Sequence, residues 1–417
     1  MATGPSGQVL VTWSSTGAWG PIVVSERSAG GEFSRPQFVT RGVSFHKAIS
    51  IGPRGDAVIA WVERPAGGLR ATVVARWRAP GSRVFAAPVV LATTRFYEQI
   101  NRLRVALGAS GIAVVGWDRQ TSSRTRIVEL RRRSLAGRWA PADRFARAGQ
   151  SARLEALEVD AEGAVLVQWW QSPDGGPRTF AIKASGGRFS AAQDAPAMLD
   201  GVADVSAGAG ALPGFVWLDA SADRRGVSLV GQSSDTSFEP PAAALDGADF
   251  QFAPPSANSP RPFSGFEGSG IVVSDYPRTV NARRDAVICG QERGPSLYVI
   301  RAGVHTAGTA PLATLASLAT PDAGAPPDGY PPRCSIDEEG QAIVQWYDQQ
   351  HRTWFATGSA TGFSKPQMIS SLKSSFVTDV RAAGPGTFAL TWDHIVTKDT
   401  EPGTASVVEI SIVAISP

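Results

Sequence analysis

Acidic side chains recur one or two places behind a repeated tryptophan: Asp118 after Trp117, Asp219 after Trp217, Asp348 after Trp346 and Asp393 after Trp392. Basic or imidazole side chains stand close by, as Arg119, Arg224, His351 with Arg352, and His394. A ring of such carboxylates has the hard oxygen donors that take Ca²⁺ or a cationic ligand. Asp348 with His351, or Asp393 with His394, has the residue types of a general acid and base. A plainer reading stands beside each of these: solvated turn acids and exposed loop histidines. His46 and His305 fall elsewhere in the repeat, so the spacing does not assemble a three-histidine metal site. Trp170 and Trp354 are either sugar-stacking platforms or outer-strand packing. No motif for a cofactor or a metal rises above the background, and no residue is assigned a catalytic role.

The elements that would carry these side chains are legible in a repeat. Six Gly/Trp pairs share one spacing: Gly7/Trp13, Gly55/Trp61, Gly111/Trp117, Gly163/Trp169, Gly340/Trp346 and Gly386/Trp392. Trp217 joins them with Ala211 in the glycine slot, and Gly270–Tyr276 reads as a further copy with Tyr276 in place of tryptophan. Between glycine and aromatic the residues alternate with period two, the signature of a strand, as in Val165/Val167/Trp169 against Gln168. A strand precedes each turn, and its glycine suits the left-handed position of a tight hairpin. A third strand follows a polar loop, with Ala286–Gln291 assigned to this class. A fourth carries Phe33-Ser34-Arg35-Pro36-Gln37 and Phe363-Ser364-Lys365-Pro366-Gln367, where proline fits an outer edge.

Four antiparallel strands repeated about every fifty residues predict an all-β fold, a β-propeller of four-stranded blades. Eight blades are expected, with seven as the alternative. One domain would span 1–417, with copies at approximately 1–41, 42–95, 96–149, 150–199, 200–247, 248–320, 321–371 and 372–417. The first copy is expected to lack its opening strand and the last its fourth. The repeated aromatics, Trp13, Trp61, Trp117, Trp169, Trp217, Tyr276, Trp346 and Trp392, are expected between blades. Insertions at 249–270 and 292–328 are expected to form a lid or side loop.

Composition narrows the partners. Only five of the 40 basic residues are lysine, and the arginines are dispersed through every copy, unlike the single stripe of a nucleic-acid binder. No stretch is long and apolar enough to span a bilayer as a helix. No signal peptide precedes the first copy, which we read as a mature or trimmed secreted or cell-surface chain, with a cytoplasmic location as the alternative. Cys289 and Cys334 are too few for a disulfide scaffold. Placed in the third strand of one copy and the first of the next, they are not obvious neighbours, and separate thiols are favoured.

The Gly-x5-Trp blade resembles the broad group of secreted bacterial propellers with sialidase-like or BNR-type repeats. The likeness covers nearly the whole chain but is architectural. A sialidase's Asp box reads Ser-x-Asp-x-Gly-x-x-Trp. Ser335-Ile336-Asp337-Glu338-Glu339-Gly340 comes nearest, with its glycine one place late and Trp346 five residues further on. The sialidase arginine triad and acid/base pair are therefore not carried over. Because no residue breaks the repeat symmetry with a catalytic type, the expected function is that of a non-catalytic, secreted or cell-surface propeller that binds a glycan or protein partner through the loops after its second and fourth strands. A glycoside hydrolase or lyase and a structural scaffold are the alternatives. The oligomeric state is not legible.

Overall fold

The computed structural model describes residues 1–14, 20–64, 68–96, 98–121, 125–145, 151–171, 178–183, 188–194, 204–207, 215–219, 226–234, 237–238, 242–246, 250–252, 271–273, 280–281, 283–293, 298–310, 312, 315–318, 332–348, 350, 352–370, 375–397 and 404–414. These residues are all-β and form eight sheets in chain order. The first contains Ala2–Thr3, Val9–Ser14, Ile22–Arg27 and Gln37–Phe38; the second Ser44–Ile51, Ala57–Glu63, Thr72–Arg78 and Val89–Thr93. The third contains Gln99–Leu107, Ala113–Gln120, Arg126–Arg133 and Asp143–Phe145; the fourth Ala152–Val159, Val165–Gln171, Arg178–Lys183 and Gln193–Asp194. Two further sheets follow at 204–246 and 250–318. The seventh is Arg333–Ile336, Ala342–Tyr347, Thr353–Ser359 and Gly362–Phe363, with Gln367–Ser370 also pairing its third strand. The eighth has three described strands, Ser375–Ala382, Thr387–Thr397 and Thr404–Ala414. Neighbouring strands run antiparallel, apart from Phe250–Phe252, which lies parallel to Ile271–Val273. The chain divides into two compact units, Met1–Ala197 with two short later stretches, and the remainder.

The glycines of the repeat do what their position requires. Gly7, Gly55, Gly111, Gly163, Gly340 and Gly386 all have positive φ, between 59° and 88°. The turn closes with paired main-chain bonds, as in Gly108 N to Ile112 O (3.1 Å) and Gly111 N to Gly108 O (2.9 Å). A side chain at Gly111 would also run into the Arg54 guanidinium of the preceding sheet.

Five of the repeated tryptophans are described packing their sheet onto the one before it. Trp61 joins Leu10, Ile22 and Val24 of the first sheet. Trp117 joins Val58, Val62 and Val73 of the second, and Trp169 joins Val114, Val128 and Leu130 of the third. In the other unit Trp346 packs with Val287, Ile300 and Val304 of the sixth sheet, and Trp392 with Ile343 and Phe355 of the seventh. Each buried indole removes on the order of 200 Å² from water, roughly 5 kcal/mol before entropy is set against it. The buried N–H of the indole is satisfied locally: Trp61 Nε1 donates to Glu63 Oε1 (2.7 Å) and Trp169 Nε1 to Gln171 Oε1 (2.9 Å). Trp13 is half-buried. Trp217 lies in the strand Phe215–Asp219, of whose side chains nothing is described, and Tyr276 lies outside the described residues.

Three expectations are corrected. The first sheet does have an opening strand, short but paired, with Ala2 opposite Leu10 and Thr3 opposite Val9. In the sixth sheet the strand that follows the tight turn is Ala286–Arg293, so Gly270–Tyr276 is not the equivalent of the tryptophan strands and Ala286–Gln291 is not a third strand. The turn there bonds as in other copies, Asn281 N to Asp285 O (3.0 Å) and Arg284 N to Asn281 O (3.0 Å). Arg284, at φ 68°, occupies the glycine slot, and Gly290 stands six residues on in the aromatic slot. That shift of one strand also corrects the cysteines. Cys289 lies on the second strand, beside the opening strand of the seventh sheet, and forms a disulfide with Cys334. Both are buried in the cluster between these sheets.

Candidate functional site

Loops between second and third strands, and connections from the fourth strand to the next sheet, emerge at one end of each sheet. At the second sheet this end is well described. The register aligns Ser44 with Glu63, Glu63 with Thr72 and Thr72 with Thr93, so all four strands stop on one line. Just beyond it the chain is held by Arg64 N to Val43 O (3.3 Å), Thr94 N to Ala71 O (2.8 Å) and Ala71 N to Thr94 Oγ1 (2.8 Å). Beyond that line at this end stand Arg41, Val43, Arg64, Leu69, Arg70, Arg95 and Phe96, all exposed except the half-buried Arg64.

Its surface is apolar and cationic at once. Val43, Leu69 and Phe96 are 43%, 49% and 50% exposed. The Arg70 guanidinium lies 5.1 Å from the Phe96 ring centroid and that of Arg64 5.5 Å from Phe45. Planar cations resting on rings keep their edge donors available for an anion. The nearby acids are occupied. Glu63 accepts from Trp61 Nε1 and from Thr40 Oγ1 (3.1 Å). Glu98 accepts the Arg95 amide (2.7 Å) and pairs with Arg119 (2.8 Å). A bulge at His46, φ 45°, exposes His46 and Lys47 on the adjoining strand.

The residues singled out in the sequence fall differently from expectation. The second strand of the third sheet runs on through Gln120, so Asp118 and Arg119 are strand residues and not loop residues. Asp118 is fully buried opposite Arg102, and among the described residues neither carboxylate oxygen has a well-formed hydrogen bond. Burial pushes its carboxyl up to about 6, against the charges of Arg102 and Arg126. Arg119 bridges Glu98 (2.8 Å) and Glu129 (2.9 Å). Asp348 is buried, and its Oδ1 accepts the amides of Gln350 (2.9 Å) and Arg352 (3.0 Å). Its Oδ2 accepts from Arg352 Nε and Trp354 Nε1, both at 2.7 Å, so this acid clamps its own turn. Trp354 packs partly against the core of its sheet pair. Asp393 and His394 lie inside the strand Thr387–Thr397, opposite Val408 and Val407, and not in a loop. Asp219 ends a strand opposite Ser228, while Arg224 and His351 lie outside the described residues.

The second sheet's end was missed because its residues precede the first strand, leave the second and follow the fourth. No interval in the chain links them; the available signal was the local density of Arg41, Arg64, Arg70 and Arg95. Among the described residues no cluster of three metal-ligating side chains occurs, and no helix is long and apolar enough to cross a membrane.

No family model matches the chain, and no curated protein matches it. Solved structures do. The chain is similar to the BP39L lectin of Burkholderia pseudomallei, at 14% identity and a TM-score of 0.52, over 88% of this chain and 97% of that one. It is also similar to the microbial sialidase Hz136 (10%, TM-score 0.40, 70% and 62% covered) and to an alpha-L-arabinanase of Penicillium chrysogenum (10%, 0.38, 86% and 92%). What the chain shares with the lectin is the fold.

Proposed function

We propose that the eight sheets are eight blades of one propeller, and that the protein binds an anionic glycan without turning it over. The binding surface is the second sheet's loop end. The observation that carries this reading is that Arg41, Arg64, Arg70 and Arg95 all leave the strands at this one end, with Arg70 resting on exposed Phe96 and Arg64 on Phe45, while Glu63 and Glu98 are already committed. Guanidinium forks take carboxylate or sulfate oxygens in pairs, and an exposed ring packs against the C–H face of a sugar. Committed acids favour binding over hydrolysis, since a glycosidase needs two carboxylates free to act on the same bond. The Cys289–Cys334 disulfide supports residence in an oxidising compartment, secreted or at the cell surface.

The test is binding to immobilised polygalacturonate and to a neutral galactan, with wild type, Arg70→Ala and Phe96→Ala side by side. Preferential, salt-sensitive binding of the acidic polymer is expected, weakened at least about tenfold in each variant. Equal binding of the neutral polymer, or variants that behave as wild type, would remove this surface from consideration. Release of reducing ends during incubation would show an enzyme instead.

A further inference from the structure

A second site stands on the outer flank of the first unit. Between the third and fourth sheets lies a cleft of about 470 Å³ lined by Asp143, Arg144, Phe145, Trp169, Arg188, Phe189, Ser190 and Ala192. That volume is within the range of small-molecule sites, roughly 300–1,000 Å³. Its floor is the core itself, where buried Phe145 meets buried Trp169 at 5.2 Å, and the partly exposed Phe189 stands edge-on to Phe145 at 4.9 Å. Each wall contributes an arginine, Arg144 from the third sheet and Arg188 from the fourth, both exposed.

Arg144 is held from behind. Its Nε donates to Glu129 Oε1 (3.0 Å), and that carboxylate is itself fixed by Trp117 Nε1 (3.0 Å) and Arg119 (2.9 Å). A side chain 69% exposed but tied at its Nε has lost part of its freedom before any ligand arrives, which lowers the entropic cost of binding. Asp143 and Ser190 add an acceptor and a hydroxyl to the same cleft. The combination is one partly exposed ring, Phe189, an exposed cation on each wall, and hydroxyl-matching polar groups.

We infer that this cleft binds a single pyranose bearing a carboxylate, a hexuronate. Phe189 takes the C–H face of the sugar, an arginine takes the carboxylate, and Asp143 accepts from a ring hydroxyl. The site is independent of the second sheet's loop end, and no residue is shared between them. Titration calorimetry of the full chain with glucuronate and with glucose tests it. Millimolar or tighter binding of glucuronate, at least about tenfold over glucose, is expected. Arg188→Ala should abolish that preference, while Arg70→Ala at the other surface leaves it intact. Arg188 is exposed, so its loss spares the core; a Phe189→Leu variant, similar in bulk, should weaken both sugars. Failure to bind glucuronate, equal affinity for glucose, or an unchanged Arg188→Ala profile would each overturn the inference. Loss of binding in Arg70→Ala alone would assign the sugar to the other surface.

Discussion

Trp117 and Glu129 face each other across the third sheet, and the indole Nε1 donates to Oε2 at 3.0 Å. The same carboxylate receives Arg119 and Arg144, and these partners hold its pKa below the ordinary value in spite of burial. One acid thus satisfies an inter-sheet tryptophan, a buried cation and an exposed one. Glu129→Ala would leave the Trp117 N–H without an acceptor and Arg119 with Glu98 alone, and stability should fall by about 1–3 kcal/mol. Urea unfolding followed by tryptophan fluorescence reads the loss. A change below about 1 kcal/mol would show that the network is ornamental.

Asp118 should make the protein more stable in mild acid than at neutral pH, as far as this group is concerned. Its folded pKa of about 6 lies above the ordinary 3.8, so the native state keeps the proton longer. The contribution is complete below pH 3.8 and is lost as pH rises through about 6. Asp118→Asn removes the charge that must otherwise be buried. The variant should match wild type near pH 4 and exceed it above pH 7 by up to about 3 kcal/mol. Denaturant titrations at the two pH values decide it; an equal difference at both would refute the burial argument.

Arg284 holds a left-handed conformation that glycine adopts in the equivalent turns. The strain for a residue with a Cβ is about 1 kcal/mol. Arg284→Gly should therefore raise stability by about that amount, offset in part by the extra freedom of the unfolded chain. A fall in the unfolding midpoint would mean that contacts of the arginine outweigh its backbone strain.

The disulfide joins two sheets across 45 residues of sequence. Cys289→Ser with Cys334→Ser should cost about 2–4 kcal/mol, chiefly by freeing the unfolded chain. Intact protein denatured without reductant should show no titratable thiol. Detection of two thiols in that assay would mean that the bond does not form in the purified protein.

Sequence alone determined the sheet repeat, because a glycine turn and an alternating apolar strand are local requirements that each copy must meet in the same order. Gly55 to Trp61 and Gly340 to Trp346 could be read as equivalent strands without any coordinates. The outer Phe33-Ser34 and Phe363-Ser364 segments were likewise legible, and each serine amide bonds back to the third strand, Ser34 N to Glu26 O and Ser364 N to Thr357 O, both at 2.7 Å. The sixth copy was misread because Arg284 and Gly290 replace the two residues that mark the others; only the strand pairing reveals the turn. Tertiary structure alone decided the fate of the acids behind the tryptophans. Whether a carboxylate is solvated, clamps its turn like Asp348, or is sealed between sheets like Asp118 depends on where its strand ends and what the next sheet places over it. Neither property is encoded in spacing, since burial and pairing arise between segments about fifty residues apart.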